Sequence, residues 1–482
     1  MEHQRDCRID ASVAGPGRIV VVIPAHDEEI LIGEALESLG MQTRKPDEVI
    51  VVADRCGDRT AEVAAARGAA VIETVGNVHR KAGAIDQVYD LLLPRLTDDD
   101  AVLMMDADTT LSPTFISEAA KRLREPEGDG ARVGGVGGIF FGCFPVKGLI
   151  GHLQNNEYVR YAREIGRRQG RSDVLTGTGT LFSVRALRDV KRARSCGELP
   201  TGTGVYDTEA LTEDNELTLA LKQLGYRCVS PKACVVGTRL PTTIKGLFYQ
   251  RLRWQRGALE NLRAYGATRQ TLPYIGRQVL TYLGVALVSF YLTALTYGVL
   301  STDSIGFALP WVAVTVFIVF ERTWSVRRGG WRSIVLSGLV VPEIAYDLFL
   351  HSVYGKAATD TARDAGETWS APSREGAPRE RRLRRLRNVF AVVFYEAAAV
   401  AIIVALALAC AISGVAWPLI AFLVLTFTAH AALRLAGLDP LGPILGSGEN
   451  VVRDDPPATG ARLQGFGGRD VQHLPPRISQ PG

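Results

Sequence analysis

The chain has 482 residues, more than one ordinary domain needs and enough for a catalytic domain followed by a membrane portion. Lys and Arg total 55 and Asp and Glu total 51, so the net charge of +4 gives no sign of a nucleic-acid-binding protein. Seven cysteines are scattered without paired CxxC spacing, which argues against a zinc site and is typical of reduced thiols in the cytosol.

The two ends of the chain are predicted to be disordered. Residues 1–17 are polar and contain no apolar core of the kind that a signal peptide needs. We therefore expect the catalytic half of the chain to stay on the cytosolic side. Residues 439–482 are rich in Gly and Pro and have few apolar side chains to bury.

Residues 18–265 alternate between strand-like apolar runs and helix-like periodic segments. Buried parallel strands are predicted at Ile19–Ile23 (ended by Pro24), Val49–Val52, Ala70–Ile72 and Ala101–Met105. Helices are predicted between them, at residues 31–39, 58–67 and 82–93. This alternation implies right-handed crossovers and a doubly wound α/β sheet, whose ligands lie beyond the carboxyl ends of the strands.

Acidic residues follow two of these predicted strands. Asp106 and Asp108 are alternate residues on the turn after Ala101–Met105, so both carboxylates can approach one point, as oxygen ligands of Mg²⁺ or Mn²⁺ would. Turns favour Asp in any case, so this triplet alone is weak evidence. Asp54 follows the second strand and can accept a hydrogen bond from a nucleotide base, whereas Asp58 is explained as the cap of the next helix.

Two further segments allow both a structural and a functional interpretation. Residues 79–81, His-Arg-Lys, directly precede a predicted helix, and cations at a helix start oppose the helix dipole. Contact with a diphosphate would explain them, and so would a solvated basic turn. Residues 176–180, Thr-Gly-Thr-Gly-Thr, either let the backbone approach a ligand closely or form a plain tight turn. Residues 134–138, GGVGG, lack the spacing and position of a dinucleotide-binding loop.

Two later helical patterns carry polar residues that suit catalysis. Thr212-Glu213-Asp214 begins a helix, and capping explains these residue types fully. A carboxylate at a helix start also points outward, where it can take a proton from a hydroxyl nucleophile. Gln250, Arg253 and Trp254 share one face of a helix near residues 243–265. Apolar and basic residues alternate in the rest of that segment, which predicts an amphipathic helix on a membrane surface. The apolar ones are Phe248, Leu252 and Leu259, and the basic ones are Arg251, Arg256 and Arg263.

The second half of the chain is predicted to be a membrane domain, residues 275–436. Four apolar runs are about long enough to span a bilayer: Val279–Leu300, Ile305–Phe320, Val389–Ile412 and Val415–Leu435. A fifth run, Ile334–Tyr354 (residues 334–354), contains Glu343 and Asp347, and charges inside a span are expensive and usually functional. Basic stretches at 322–332 and 379–387 flank this run, and both favour the cytosol. We therefore predict that it is interfacial or re-entrant.

Taken together, the chain resembles the membrane-embedded family-2 glycosyltransferases, which include cellulose, chitin, hyaluronan and poly-N-acetylglucosamine synthases. The resemblance rests on the order of Asp54, Asp106-Ala107-Asp108, Thr212-Glu213-Asp214 and Gln250-Arg251-Leu252-Arg253-Trp254. It covers residues 18–265 and, loosely, the membrane part. It implies a GT-A fold, a UDP-sugar donor and a divalent metal, Mg²⁺ or Mn²⁺.

The resemblance also implies a role for each motif residue. On the donor side, Asp54 contacts the uracil, Asp106 the UDP moiety, Asp108 the metal and Lys81 the phosphates. Asp214 is the general base, with Glu213 beside it. Gln250 and Arg253 hold the diphosphate, and Trp254 stacks on the acceptor sugar. Gly177 and Thr178 of the Gly-rich loop are assigned to the acceptor as well.

Three departures from the family pattern bear on export of a product. No membrane helix precedes the catalytic domain, only about four spans follow it, and Arg239 stands where relatives lead us to expect an acid. The leading expectation is an inverting, processive transferase that extends a polysaccharide at the plasma membrane, with its catalytic domain in the cytoplasm. The alternatives are single transfer to a lipid carrier and a non-catalytic nucleotide-sugar-binding membrane protein. The sequence leaves open whether partner subunits take part in export.

Overall fold

The computed structural model describes residues 17–125, 130–143, 146–200, 202–301 and 305–362. Several predicted features lie outside the described residues: nearly all of the N-terminal segment 1–17, the spans Val389–Ile412 and Val415–Leu435, the basic stretch 379–387 and the tail 439–482.

A seven-stranded mixed sheet forms the centre of the N-terminal part of the chain, and a three-stranded sheet lies beside it. The strands in chain order are β1 Ile19–Ala25, β2 Glu48–Ala53, β3 Ala70–Glu73, β4 Ala101–Met105, β5 Thr110–Leu111, β6 Val133–Gly137, β7 Ile139–Gly142, β8 Gly179–Ser183, β9 Arg227–Val229 and β10 Val235–Thr238. The large sheet has the order β3-β2-β1-β4-β8-β6-β9, and the small one β5-β10-β7.

The first half of the large sheet is doubly wound, as the sequence predicts. Strands β1 to β4 run parallel, and the chain passes from β1 outward through β2 and β3 before it crosses to β4 on the other side of β1. The reversal creates a crevice between the carboxyl ends of β1 and β4, where such sheets bind ligands. Strand β8 is antiparallel to both β4 and β6, so the sheet as a whole is mixed.

Pro24 does not end the first strand, contrary to the prediction. It lies inside β1 and pairs in register with Val52 of β2. On the other side of β1, the pairing with β4 stops at Val22. No ladder on that side therefore needs the N–H group that proline lacks, and this permits a proline at this position.

Helices cover both faces of the sheet. They are α1 Ile32–Gly40, α2 Thr60–Ala66, α3 Arg80–Leu92, α4 Phe115–Arg124, α5 Gly148–Arg167, α6 Val184–Ser195 and α7 Glu213–Gln223. Alternate residues of β1 enter different cores: Val20 and Val22 pack with α3, α6 and α7, and Ile19, Val21 and Ile23 with α1 and α4. Burial on both faces explains why the parallel strands are continuous apolar runs.

Five more helices follow the two sheets. They are α8 Ile244–Tyr265, α9 Leu272–Ser301, α10 Ile305–Ser325, α11 Trp331–Gly338 and α12 Val340–Ala362. Among the described helices, none combines the length and apolar character needed to cross a bilayer by itself. Helix α11 and residues Val341–Ala362 meet that requirement together, across a bend of 78°. The membrane domain and the re-entrant run Ile334–Tyr354 stay predictions.

The two acids inside that run are ion-paired within the protein. Glu343 of α12 is 1% exposed, and its carboxylate accepts hydrogen bonds from Arg160 of α5 at 3.0 Å and Arg322 of α10 at 2.9 Å. Ser337 of α11 donates a third at 2.7 Å. Asp347 pairs with the same Arg322. This network joins the bent helix pair to α5, which packs on the sheets, and compensates the cost of burying the charges.

Candidate active site

Lys81 joins two of the predicted motifs at the carboxyl edge of the sheet. Its Nζ lies 2.7 Å from Oδ1 of Asp106, which follows β4, and 3.1 Å from Oε1 of Glu213, the first residue of α7. Helix α3 begins at Arg80, two residues earlier than predicted, so Lys81 lies in its first turn rather than before it. Burial by itself lowers the pKa of Lys81, but Asp106 and Glu213 outweigh it and raise that pKa. The lysine therefore stays a cation between two acids.

The Gly-rich loop before β8 closes the space between these motifs. Gly177 accepts a hydrogen bond from Lys81 Nζ at 3.1 Å and donates its own N–H to Asp214 Oδ2 at 3.0 Å. The carbonyl of Thr178 accepts from the Asp106 N–H at 3.3 Å. A Cβ at position 177 would lie 3.1 Å from that Asp214 oxygen. The glycine thus permits a close approach, and its neighbours here are the protein's own charged groups.

The start of α7 is held by α8 rather than by ordinary capping. Thr212 precedes the helix but makes no side-chain cap to it. Its hydroxyl instead accepts a hydrogen bond from Asn261 of α8 at 3.3 Å, and Asn261 also donates to Asn215 at 3.0 Å. The capping explanation is therefore incomplete, because the side chain of Thr212 serves to connect two helices.

The two acids of this helix start differ in their electrostatics. Burial, and then the charge of Glu213, raise the pKa of Asp214 to about 6. Burial also pushes the pKa of Glu213 upward, but Lys81 and then Arg253 outweigh it, so the net pKa is lowered. Asp214 is therefore a base with a pKa close to neutrality, and Glu213 stays ionised beside it.

Three carboxylates gather at the crevice between β1 and β4. Burial, and then Asp106, raise the pKa of Asp108 to about 6. Burial, followed by Asp108 and Asp106, raises the pKa of Glu28 to about 7. Burial is the main cause of both shifts and the neighbouring acids add to it, so a divalent cation bound here would favour the charged forms of these carboxylates. Carboxylate oxygens are the donors that Mg²⁺ and Mn²⁺ prefer, and Asp108 stays the predicted ligand.

The sequence interpretation missed Glu28. The residue follows β1 at the same edge as Asp54 and Asp106, and that position was a signal that could have been used. Arg239, at the end of β10, pairs with Glu34 of α1 at 3.1 Å and opposes the rise in the Glu28 pKa. The unexpected cation at position 239 therefore lies at the margin of the acidic crevice.

Asp54 lies at the end of β2, as predicted, and one of its oxygens is already engaged. Oδ1 accepts hydrogen bonds from Thr74 at 2.7 Å and from Asn77 at 2.9 Å. Asn77 also donates to the carbonyl of Arg80, the first residue of α3. Asp54 is thus fixed next to the turn that carries Lys81, and Oδ2 takes no part in these bonds.

A second acidic group lies near the same edge. Asp27, Cys56 and Asp58 each have a ligand-type atom within 4.8 Å of the others. Their oxygens support the backbone: Asp27 accepts from Gly57 N, and Asp58 accepts from Glu29 N and Thr60 N. The predicted cap at Asp58 is therefore partly right, although α2 begins at Thr60. We assign no metal to this group.

Of the three predicted residues of helix α8, Arg253 lies near Glu213, whereas the contacts of Gln250 and Trp254 are within the helix region itself. Arg253 is close enough to Glu213 to lower that residue's pKa. Gln250 has a buried side-chain oxygen with no hydrogen-bond partner among the described residues. The ring of Trp254 carries the guanidinium of Arg251, whose Cζ lies 4.5 Å from the ring centroid.

Arg251 corrects one part of the prediction for α8. As a member of a membrane-surface helix it would be exposed, but it is 5% exposed and pairs with Glu157 of α5 at 2.9 Å. Helix α8 packs against α12, which covers the face on which Arg251 lies. Periodicity shows which residues share a face, but it cannot show what covers that face.

The comparisons with known proteins agree with this geometry. A family described as "Glycosyltransferase like family 2" matches residues 16–257, half of the chain. The chain belongs to this family. Family 2 membership and the sheet topology confirm the predicted GT-A-like α/β fold and a role in glycosyl transfer.

Two curated relatives are similar over half of the chain or slightly more. The "Probable glycosyltransferase YdaM" of Bacillus subtilis is 28% identical over 250 residues, 50% of this chain and 55% of that protein. The "Poly-beta-1,6-N-acetyl-D-glucosamine synthase" of Staphylococcus aureus is 25% identical over 293 residues, 57% of this chain and 64% of that protein. The chain thus spans less than two thirds of the length of either relative.

Two solved structures are similar to this chain at lower sequence identity than these relatives. The mannosyltransferase PcManGT of Pyrobaculum calidifontis, in complex with GDP-Man and Mn²⁺, is 18% identical with a TM-score of 0.44, and the match covers 74% of this chain and 91% of that one. Glucosyl-3-phosphoglycerate synthase of Mycobacterium tuberculosis is 20% identical with a TM-score of 0.33, and the match covers 51% of this chain and 79% of that one.

Proposed function

We propose that this family 2 member is an inverting, UDP-sugar-dependent transferase that adds hexose units to a growing polysaccharide at a membrane. The observation that carries the proposal is the convergence at Lys81. One ammonium group contacts the donor-side Asp106 and the base-side Glu213, and the same loop glycine contacts both Lys81 and Asp214. Groups suited to a nucleoside diphosphate and to proton transfer therefore share one pocket.

On the donor side, each residue has a position that suits its role. Asp54 offers Oδ2 to the uracil, and Lys81 and Arg253 offer positive charge to the diphosphate. When bound at Asp108, a divalent cation supplies further positive charge against the departing diphosphate. Fixed cations of this kind stabilise a leaving group best in a pocket that is already organised and partly excludes water.

On the acceptor side, Asp214 takes the proton of the attacking hydroxyl group. The acceptor oxygen forms a bond to the anomeric carbon while the bond from that carbon to the diphosphate oxygen breaks, so UDP leaves from the opposite face and the configuration inverts. The Gly177 N–H bond to Asp214 Oδ2 fixes the carboxylate during this step. The unpaired atom of Gln250 is its side-chain oxygen, which can accept from a sugar hydroxyl but cannot bind a phosphate, so we move Gln250 from the diphosphate to the sugar. Trp254 offers a ring face to the acceptor.

The proposal of a polymer product has two supports. One is the similarity to the S. aureus protein whose name describes a polysaccharide synthase. The other is the helix with Gln250, Arg253 and Trp254 beside the base, which suits a bound sugar chain.

The proposal of a membrane location rests on the surface of α10 and α11. Trp324 is 45% and Trp331 is 70% exposed, and arginines lie over both rings, Arg327 at 4.0 Å and Arg332 at 5.5 Å. Aromatic rings next to cations suit the headgroup region of an anionic leaflet. We place the catalytic part at the cytoplasmic face of the plasma membrane.

The test is a donor screen with membranes that contain the chain. UDP-glucose, UDP-N-acetylglucosamine and UDP-glucuronate are each supplied with Mn²⁺, GDP-mannose serves as the contrasting donor, and nucleotide release is measured. Membranes with Asp214→Asn are the matched control. We expect one UDP-sugar to give release well above this control. Release from GDP-mannose alone would contradict the donor class, and no release from any donor would refute the proposed function.

The size of the radiolabelled product then tests chain extension. A polymer insoluble in organic solvent is the expected result. An organic-soluble product with one sugar on a lipid would replace the polymer proposal with single transfer to a carrier, while glycosyl transfer itself would stand.

A further inference from the structure

Arg251 is a buried cation that the proposed reaction does not use. It lies in α8 between Gln250 and the Arg253–Trp254 pair, and only 5% of it is exposed. Its Nη2 bonds to Glu157 of α5 at 2.9 Å, whereas its Nε is buried without a hydrogen-bond partner among the described residues. A buried arginine that leaves a donor unpaired is costly, so its position calls for a reason beyond stability.

The guanidinium lies within cation–π distance of two aromatic rings. Its Cζ is 4.5 Å from the ring centroid of Trp254 and 5.5 Å from that of Tyr158. Arg251 and Trp254 are three residues apart on one helix, so they are direct neighbours on its surface. A planar cation over an indole restrains the tilt of that ring through the electrostatic attraction to its face.

Glu157 pairs with the arginine and connects it to α12. The same oxygen of Glu157, Oε2, that pairs with Arg251 accepts a hydrogen bond from the Tyr346 hydroxyl at 2.6 Å. Tyr346 lies one helical turn after Glu343, which is bonded to Arg160 of α5. The orientation of the indole therefore depends on three helices, α5, α8 and α12, through a continuous set of contacts.

We propose that Arg251 is a positioning residue that holds the Trp254 indole for the acceptor sugar, and that Glu157 and Tyr346 fix Arg251 in this role. The proposal rests on the proposed function, because it assigns the acceptor to Trp254. It predicts that changes at Arg251 or Tyr346 act on the acceptor through Trp254 and leave the donor side unchanged.

The test uses the full chain in membranes and a double-mutant cycle. The acceptor probe is a β-linked tetramer of the donor's own sugar, and the KM of that probe, the KM of the donor and UDP release without acceptor are measured. Arg251→Lys keeps a cation beside Glu157 but loses the planar surface over the ring. We expect the acceptor KM to rise by about three- to tenfold, with both other quantities within about twofold of wild type.

The cycle separates positioning from a general structural effect. In a Trp254→Ala background, Arg251→Lys is expected to change the acceptor KM no further, because the ring on which it acts is gone. Tyr346→Phe removes one hydroxyl. It is expected to raise the acceptor KM by about twofold when Trp254 is present and to have no effect in the Trp254→Ala background. This milder variant decides the matter if Arg251→Lys fails to fold.

Arg256→Lys is the matched control. Arg256 is on the same helix and has its own ion pair with Glu260, but it lies about 140° around the helix from Arg251. The acceptor KM of the Arg256→Lys variant is expected to equal that of wild type. Equal effects of Arg251→Lys with and without Trp254, or a rise in the donor KM instead, would overturn the inference and leave the proposed function intact. Wild-type chain that releases no UDP would overturn both.

Discussion

The pH dependence of transfer is the sharpest test of the assignment of Asp214. A general base works only when it is deprotonated, and the pKa of Asp214 is raised to about 6, first by burial and then by Glu213. The deprotonated fraction is therefore about 0.9 at pH 7, about 0.5 at pH 6 and about 0.09 at pH 5. The rate is expected to fall about tenfold between pH 7 and pH 5.

The assay is kcat/KM for the acceptor between pH 5 and 8, with donor and Mn²⁺ saturating so that the donor-side carboxylates stay occupied. Glu213→Gln provides the internal check. Because the charge of Glu213 raises the pKa of Asp214, its removal is expected to move the acidic limb of the profile to lower pH. A flat profile between pH 5 and 7, or a limb that Glu213→Gln leaves in place, would refute the assignment of Asp214 as the base.

Three further predictions follow from the same site and from the core. Asp214→Asn should lower the transfer rate by roughly 10²–10⁴ while UDP binding, measured by calorimetry, stays near that of wild type; retained activity would show that another group is the base. Asp108→Ala should abolish the part of UDP affinity that depends on Mn²⁺, and an unchanged affinity in Mn²⁺ would contradict the metal role. Arg194→Met should leave Glu216, which is 1% exposed and bonded to Arg194 at 2.6 Å, without its cation. The free energy of unfolding should then fall by about 3–5 kcal/mol, visible as a lower thermal midpoint, whereas a loss below 1 kcal/mol would argue against a structural role.

The sequence predicts the first half of the sheet well for a physical reason. Parallel strands buried on both faces are continuous apolar runs, and β4 is found at the predicted residues, Ala101–Met105. The small sheet leaves no such trace, because β5 has only two residues, Thr110 and Leu111. Its partner β10 lies more than 120 positions further along the chain, and local patterning carries no information about such pairing.

The candidate site could be predicted in part from where strands end. Asp54 and Asp106 follow parallel strands whose carboxyl ends lie at the same edge of the sheet. The sequence therefore allows the prediction that both lie near the start of the helix with Lys81. The meeting of Lys81 with Glu213 joins residues 132 positions apart and could be seen only in the fold. Arg251 was interpreted as a surface arginine because nothing in its spacing reveals that Glu157 and Tyr346 cover it.

The bonds between α7 and α8 set the geometry in which each sugar unit would react. Asn261 of α8 holds Thr212, and the Tyr265 hydroxyl of α8 bonds to Glu216, one turn into α7. Two sets of hydrogen bonds, one at the start of α7 and one a turn later, thus fix the base relative to the helix assigned to the acceptor in the absence of substrate. A glycan that advances by one residue per cycle would meet the same spacing between its terminal hydroxyl and Asp214 every time, so uniform linkage would follow from the protein rather than from the sugar.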